Sequence, residues 1–234
     1  MRKTTLIILF CSLFLLPGTL WAKGLDFYSM FPNLTLGFDP GDPDTVRAVN
    51  AGLTATQAKV EIRVITDNAN PDDYLMGIQT DIEIKVDCQG VTLDTTEAAI
   101  FDGAAVEFWG IKSVAWVAPS TGIPGLLRIG AVELDTLDPG APLGPGDHLF
   151  ATLVFSLSEP CCICVTPIPC VGCDDPTILV TTLANGYYPV VGGDCFCPPW
   201  PVPTLSEWGL ILFGLTLLLG IVWYIRRQKV AITG

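Results

Sequence analysis

Histidine is almost missing from this chain of 234 residues: His148 is the only one. A single imidazole leaves no histidine pair for a metal, and no Gly-x-Ser-x-Gly, His-Glu-x-x-His or glycine-rich phosphate loop occurs. His148 stands beside Asp147 and reads as a turn-proximal residue, so no catalytic residue is expected. Positive charge is also scarce, with 12 Lys and Arg against 24 Asp and Glu. Between residues 23 and 204 there are 23 acidic and 7 basic residues, a net charge of −16. That field repels phosphate backbones and excludes nucleic acid as an expected partner, while favouring solubility. Helical periodicity is the third absence. Between residues 30 and 200 no stretch repeats its apolar residues at the spacing of an amphipathic helix.

The periodicity that is present is two. Val60, Ile62 and Val64 alternate with Glu61 and Arg63. Ile78, Ile82, Ile84 and Val86 alternate with Gln79, Asp81, Glu83 and Lys85, and Ala151, Leu153 and Phe155 with Thr152, Val154 and Ser156. Each set reads as a strand with one face in a core and one in water. Further strands are expected over 106–109, 112–117, 126–134 and 177–183. Turn signals separate them at Pro119-Ser-Thr-Gly122, Asp138 to Gly146 and Asn185-Gly186. The fold class expected is all-β, an antiparallel sandwich of jelly-roll type, with one C-terminal transmembrane helix.

Both ends differ from this middle. Arg2 and Lys3 precede an apolar stretch from Leu6 to Leu16, then Pro17, Gly18 and small residues near Ala22 and Gly24. That order is a secretory signal, expected over 1–24, with Cys11 discarded along with it. At the other end, Trp208 to Ile225 is uncharged and apolar and is followed by Arg226, Arg227 and Lys229. At about 1.5 Å per residue the run reaches roughly 27 Å, against about 30 Å of hydrocarbon. The terminal aromatics suit the membrane interfaces, and the cations place the tail inside. The division expected is a β-sandwich ectodomain over 25–158, a Cys/Pro-rich segment with a final strand over 159–200, a sorting and spanning segment over 201–229, and a cytoplasmic tail over 230–234.

Val202-Pro203-Thr204-Leu205-Ser206-Glu207-Trp208-Gly209, with the apolar run and Arg226-Arg227 behind it, resembles the IPTL-CTERM sorting domain, a relative of PEP-CTERM tags; Val202 stands where that family has Ile. The resemblance covers about the last thirty residues and implies a substrate of an exosortase-type processing enzyme of the membrane. The approach from Cys197 to Pro203 is proline-rich and therefore extended, as processing requires. A second resemblance rests on residues 58–87, with the turn Asp67-Asn-Ala-Asn-Pro-Asp-Asp73 and the lead-in Leu75-Met76-Gly77-Ile78-Gln79, and on Gly144 to Phe155. Both stretches are similar to parts of cohesin-type sandwiches. Cohesins bind dockerin modules, and no residue here specifies that partner.

Eight cysteines remain after Cys11: Cys88, Cys161, Cys162, Cys164, Cys170, Cys173, Cys195 and Cys197. An even count in an exported chain reads as a disulfide framework, whose connectivity spacing leaves open. Cys161-Cys162-Ile163-Cys164 with Cys170-x-x-Cys173 also offers thiolate pairs for zinc or an iron–sulfur cluster, but the second pair of a zinc ribbon is missing. A redox role for Cys170-x-x-Cys173 lacks the flanking helix that lowers a thiol pKa. No cofactor is expected. Calcium is conceivable at Asp39-Pro-Gly-Asp42-Pro-Asp44 and at Asp72-Asp73, neither with EF-hand spacing. The reading is a non-catalytic surface module for protein or carbohydrate, with Trp109, Trp116 and Trp200 as aromatics for an exposed strip. The alternative is an exported hydrolase built from scattered carboxylates.

Overall fold

The computed structural model describes residues 31, 34–118, 125–133, 140–169, 177–197 and 205–232. The first thirty residues, where the export signal is expected, lie outside that set. The chain forms two compact units, Met1–Pro198 and Pro199–Gly234.

Period-two patterning builds the first unit into two facing sheets. One contains β2 (Thr45–Leu53), β3 (Gln57–Thr66), β5 (Thr92–Leu93), β8 (Gly146–Ser156) and β12 (Val190–Gly192), in the order β12-β2-β3-β8-β5. The other contains β1 (Thr35–Leu36), β4 (Leu75–Val86), β6 (Ile111–Ala118), β7 (Gly125–Val132), β9 (Ile163–Pro167), β10 (Ile178–Thr181), β11 (Asn185–Tyr187) and β13 (Asp194–Phe196). Its path is β1-β11-β10-β4-β7-β6, with β9 also on β4 and β13 on β9. Most pairs are antiparallel, while β1 runs parallel to β11 and β12 parallel to β2. The alternating residues behave as their period requires: Val60, Ile62, Val64, Ile78, Ile82, Ile84, Leu153 and Phe155 are all buried in the main core. Burial of one such side chain contributes roughly 1.5–3 kcal/mol.

β4 is the longest strand and binds neighbours along both edges. On one side β7 pairs with it from Gly77 to Ile84. On the other, β10 pairs with Leu75 to Gln79 and β9 with Ile82 to Val86, so β9 and β10 lie end to end along one strand. The segment over 159–200, expected to be Cys/Pro-rich with a final strand, supplies β9 to β13 to the same two sheets.

Three expectations are corrected by the packing, and one short helix is added to them. Residues 106–109 are not a strand. They fold as successive tight turns, Glu107 N–H to Ala104 O and Trp109 N–H to Val106 O, because both Val106 and Trp109 point inward from one short connection. A short helix also exists within 30–200: α1 (Glu97–Phe101), capped by Thr96 Oγ1 accepting from Ala99 N–H. It buries Ile100 and Phe101, and Phe101 meets Phe150 edge to face at 5.9 Å. At five residues it is too short to display a helical period. The turn read at Asn185-Gly186 lies earlier, where Ala184 takes φ 58° and donates to Thr181 O. Gly186 belongs to β11, and a Cβ there would stand 3.0 Å from Ile178 Cδ1. Finally, Gln79 and Asp81 alternate as expected but do not face water. Their face of the sheet carries buried groups too, near a small separate cluster of Val132, Ile178 and Val180 packed with Phe31, Leu34, Met76 and Ile111.

Asp81 is satisfied by a fork from Arg128, its direct cross-strand partner, with Nε to Oδ1 at 2.7 Å and Nη2 to Oδ2 at 2.9 Å. Both side chains are buried. A second, exposed network ties three strands of the other sheet: Arg63 Nε donates to Asp147 Oδ1 at 2.8 Å, Arg63 Nη1 to Glu61 Oε2 at 2.8 Å, and Arg47 Nη2 to Asp147 Oδ2 at 3.3 Å. The Arg63 hydrogen bond, followed by the nearby Arg63 and Arg47 charges, holds the Asp147 carboxyl below its usual range.

Two predictions follow from these pairs. Arg128→Ala strands a buried carboxylate and should lower unfolding free energy by about 3–5 kcal/mol, whereas Arg128→Met with Asp81→Leu should cost far less. Urea unfolding followed by circular dichroism measures both. Asp147 has a depressed folded pKa, so its contribution is present above the ordinary carboxylate value of about 3.9 and is lost as pH falls through the folded value. The stability gap between wild type and Asp147→Asn should therefore be open at neutral pH and close in acid. A gap that widens in acid would contradict the ion-pair account.

Candidate functional site

The strand alternation of β9 sorts the crowded cysteines. Cys161, Ile163 and Val165 are buried, while Cys162 and Cys164 are turned the other way and half-buried. β13 has the same rhythm, Phe196 buried between exposed Cys195 and Cys197. Cys164 stands directly opposite Cys195 in the ladder, and continuing the register sets Cys162 opposite Cys197. Both pairs are bonded, with Cα separations of 4.0 and 4.1 Å, the close spacing of opposed strands. The inward Cys161 bonds instead to Cys88, just after β4, with a Cα separation of 5.7 Å. Vicinal Cys161 and Cys162 thus join different partners because they lie on opposite faces. The three bonds close loops spanning 73, 35 and 31 residues. In a chain-entropy account each loop of this size contributes roughly 4 kcal/mol, less where one loop lies inside another. Cys170 and Cys173 lie outside the described residues.

These bonds occupy Cys161, Cys162 and Cys164, three of the sulfurs that a thiolate metal site in this segment would use. Asp87 lies with Cys88 and Cys161, but its Oδ1 accepts from Cys162 N–H at 2.8 Å, anchoring the start of β9. The signal for the double staple was in the sequence, in the two Cys-x-Cys spacings 162–164 and 195–197, which place sulfurs on one face of each strand.

A second constellation gathers Asp39, Asp44 and Asp67. The loop before β2 supplies the first two and the loop after β3 the third; Thr45 and Ile65 are ladder partners, so the two loops meet at one end of the sandwich. One carboxylate oxygen of each lies within 4.8 Å of the others. Asp39 Oδ2 accepts from Asp44 N–H at 2.6 Å, Asp67 Oδ2 from Asp42 N–H at 2.9 Å, and Asp44 Oδ1 from Asp67 N–H at 3.2 Å. A Cβ at Gly41 would overlap the Asp67 carboxylate, so a larger residue there would have to displace it. Asp44 is only 1% exposed and also accepts a short hydrogen bond from Tyr187 OH. Burial raises the Asp44 carboxyl above its usual range, with the Asp39 charge adding to it, and burial likewise raises Asp39. The Tyr187 phenol is pushed up by burial and by its bond to Asp44. Two like charges 4 Å apart repel by about 1 kcal/mol in water and about 4 kcal/mol at an effective dielectric of 20. Among the described residues no Lys or Arg forms a salt bridge to any of these three carboxylates.

The remaining candidates separate widely. Asp72 and Asp73 form a one-turn 3-10 helix with Pro71, capped by Asn70, and do not join the Asp39 cluster. His148 sits in β8 with Nε2 2.8 Å from Gly144 O. A hollow of about 360 Å³ is lined by Glu97, Ala98, Phe101, Asp102, Glu107 and Lys112. Within it Glu107 Oε2 accepts from Gly103 N–H and the Lys112 ammonium donates to Glu107 O. Trp109 is buried, its Nε1 donating to Ala141 O at 3.2 Å, and Trp116 is half-buried against the core, so these two make no exposed strip. Trp200 lies outside the described residues. The aromatic side chains that do reach solvent include Phe38, Phe108 and Tyr188.

Of the sorting motif, Val202, Pro203 and Thr204 lie outside the described residues, and Leu205, Ser206, Glu207, Trp208 and Gly209 open α2 (Leu205–Ile232). Described side chains in α2 run from Gly209 to Trp223. Among the described residues no helix is long and apolar enough to cross a membrane.

Peptide mapping without reduction is expected to return Cys88–Cys161, Cys162–Cys197 and Cys164–Cys195 linkages and no stoichiometric zinc. Alkylation of these six in the unreduced protein would contradict the ladder.

Comparison with known proteins finds one sequence motif and distant structural likenesses. Residues 201–228 match the IPTL-CTERM motif. No curated protein matches the chain. The first unit is similar to type II cohesin modules of Acetivibrio cellulolyticus. One crystallised domain from the cellulosome is 11% identical with a TM-score of 0.39, covering 66% of this chain and 95% of that one. The second module of the adaptor ScaA scaffoldin is 12% identical with a TM-score of 0.39, over 71% and 97%. A type II cohesin–X–dockerin complex from the same organism contains a chain 12% identical with a TM-score of 0.36, over 64% and 96%.

Proposed function

We propose that this chain is an exported, membrane-anchored surface protein, sorted through its C-terminal motif by an exosortase-type enzyme, whose sandwich is a non-catalytic module for a protein or carbohydrate ligand. The observation that carries this reading is the IPTL-CTERM match over residues 201–228. The helix within that motif supports it: Leu210, Ile211, Leu212, Phe213 and Trp223 are all at least half exposed. Consecutive apolar side chains exposed around a helix are stable against lipid and unstable against water. The basic cluster Arg226, Arg227 and Lys229 then marks the cytoplasmic end.

The disulfides agree with an oxidising compartment outside the cytoplasm. For the non-catalytic part, support comes from the side chains that would otherwise do chemistry. The lone imidazole is held by a turn carbonyl, and the acidic hollow has its lysine engaged by a backbone oxygen. The hydrolase alternative rests on that hollow, whose lining includes Glu97, Asp102 and Glu107.

Intact mass of protein recovered from the envelope of its native cells tests the sorting. The expected species lacks the first 22–24 residues and is cut at or near Val202 to Gly209. A mature chain that keeps its whole C-terminus would reduce the motif to a plain anchor. Deleting residues 201–234 should release the domain from the membrane fraction; continued sedimentation with membranes would refute the anchor.

A further inference from the structure

We infer that the disulfides form a tension bypass: a pull on the C-terminal end of the chain passes from Cys197 to Cys162 and from Cys161 to Cys88, around the strands between them instead of through them. The inference rests on the reading that the chain is held through its C-terminus, and concerns what the sandwich does under that load.

β4, β9 and β13 form an antiparallel ribbon, and one row across it contains Val86, Ile163 and Phe196. At that end of the ribbon the chain runs on from Phe196 into Cys197 and the proline-rich approach to the C-terminal motif. A pull at Cys197 therefore acts across the end of the β9–β13 pair. Ladder bonds of antiparallel strands lie perpendicular to the strands, so a force across one end loads them one after another, starting at Phe196 and Ile163. β13 and β12, the first strands to meet the load, have only three residues each.

The disulfides stand where that unzipping would begin. Cys162 and Cys197 are the residues next beyond Ile163 and Phe196, and they are bonded. Cys88 and Cys161 lie two residues beyond Val86 and Ile163, and they are bonded too. Asp87 closes the same end, its N–H donating to Cys162 O at 3.4 Å and its Oδ1 accepting from Cys162 N–H at 2.8 Å. Because Cys161 and Cys162 are adjacent, one peptide link joins the two bonds. Load entering at Cys197 thus reaches Cys88 without passing through the spans of 35 and 73 residues that hold β9 to β13 and β5 to β8. It is delivered to the end of β4, the strand paired along both edges. Cys164–Cys195 lies inside the loop closed by Cys162–Cys197. It carries no tension while the outer bond is intact, and takes over one ladder step further in when the outer bond is broken.

The test is single-molecule pulling on the full chain in detergent, with a handle at each end. At about 3.3–3.6 Å per extended residue, release of the 35-residue span adds about 120 Å and release of the 73-residue span about 250 Å. Oxidised wild type should show neither. Cys164→Ser with Cys195→Ser should leave the trace unchanged. Cys162→Ser with Cys197→Ser should add about 14 Å, from the four residues by which spans of 35 and 31 differ. Removal of all four cysteines should add about 120 Å, released at a lower force than unfolds the sandwich of wild type. Cys195 and Cys197 are exposed, so reductant added to a tethered wild-type molecule should reproduce that low-force release, even where the fourfold variant fails to fold. Loop entropy alone would make the inner and outer pairs equivalent, since their spans are alike. Equal traces for the two paired variants would overturn the proposal. So would a 120 Å release in oxidised wild type, or no low-force release once both bonds are gone. These traces do not depend on where the cell holds the protein, so failure of the membrane-fraction test would remove the anchor and leave them as predicted.

Discussion

The first unit depends on β4 being paired along both edges and covered on both faces from Leu75 to Ile82. Its backbone is hydrogen-bonded to β7 on one side and to β10 and β9 in succession on the other. Ile78, Ile82 and Ile84 fill the core between the sheets, while Gln79 and Asp81 are covered on the opposite side. Covering that second face requires that the Asp81 charge be answered inside the protein, and Arg128 answers it from the directly opposed position on β7. A slip of β7 by one residue would turn Arg128 into the core and leave Asp81 unpaired, so the buried ion pair specifies register. The choice of β9 and β10 as joint neighbours of β4 then determines where the late part of the chain can run.

From β9 the cysteine chemistry follows. Once Ile163 and Val165 are committed to the core, Cys162 and Cys164 must face away from it, and β13 can bring Cys195 and Cys197 against them only in one register. The chain crosses from β12 in one sheet to β13 in the other at Gly193, where a side chain would overlap Thr166. The last described residue before the proline-rich approach to the sorting motif is Cys197, itself bonded to Cys162. Cys162 in turn follows Cys161, bonded to Cys88 at the end of β4. A chain held at its C-terminal end would therefore be tied to the central strand through covalent bonds as well as through hydrogen bonds.

Legibility varied with the length of each pattern. The strands around Val60, Ile82 and Leu153 were evident because each keeps its alternation over five or more residues. β2 was not, since only Val46 and Ala48 are buried among its nine residues. Val106 to Trp109 looked extended because its apolar residues are close together, yet a turn can bury Val106 and Trp109 as well as a strand can. Asn185-Gly186 carried a turn signal, but the glycine is there for close packing against Leu34 and Ile178. The Asp39 cluster was half visible. Asp39 and Asp44 stood in a suggestive loop, whereas Asp67, Asn68 and Tyr187 come from 23 to 143 residues away.

Sequence alone determined what depends on neighbouring residues: alternation that makes strands, a strongly acidic charge balance, paired Cys-x-Cys spacings, and a C-terminal motif followed by an apolar run with basic residues behind it. Each is a one-dimensional pattern whose physical meaning needs no partner elsewhere in the chain. Tertiary structure alone decided which cysteine met which, which polar residues were buried, and which acids converged. Those outcomes depend on strand order and register, and register is settled by the sum of many distant contacts rather than by any local run of residues.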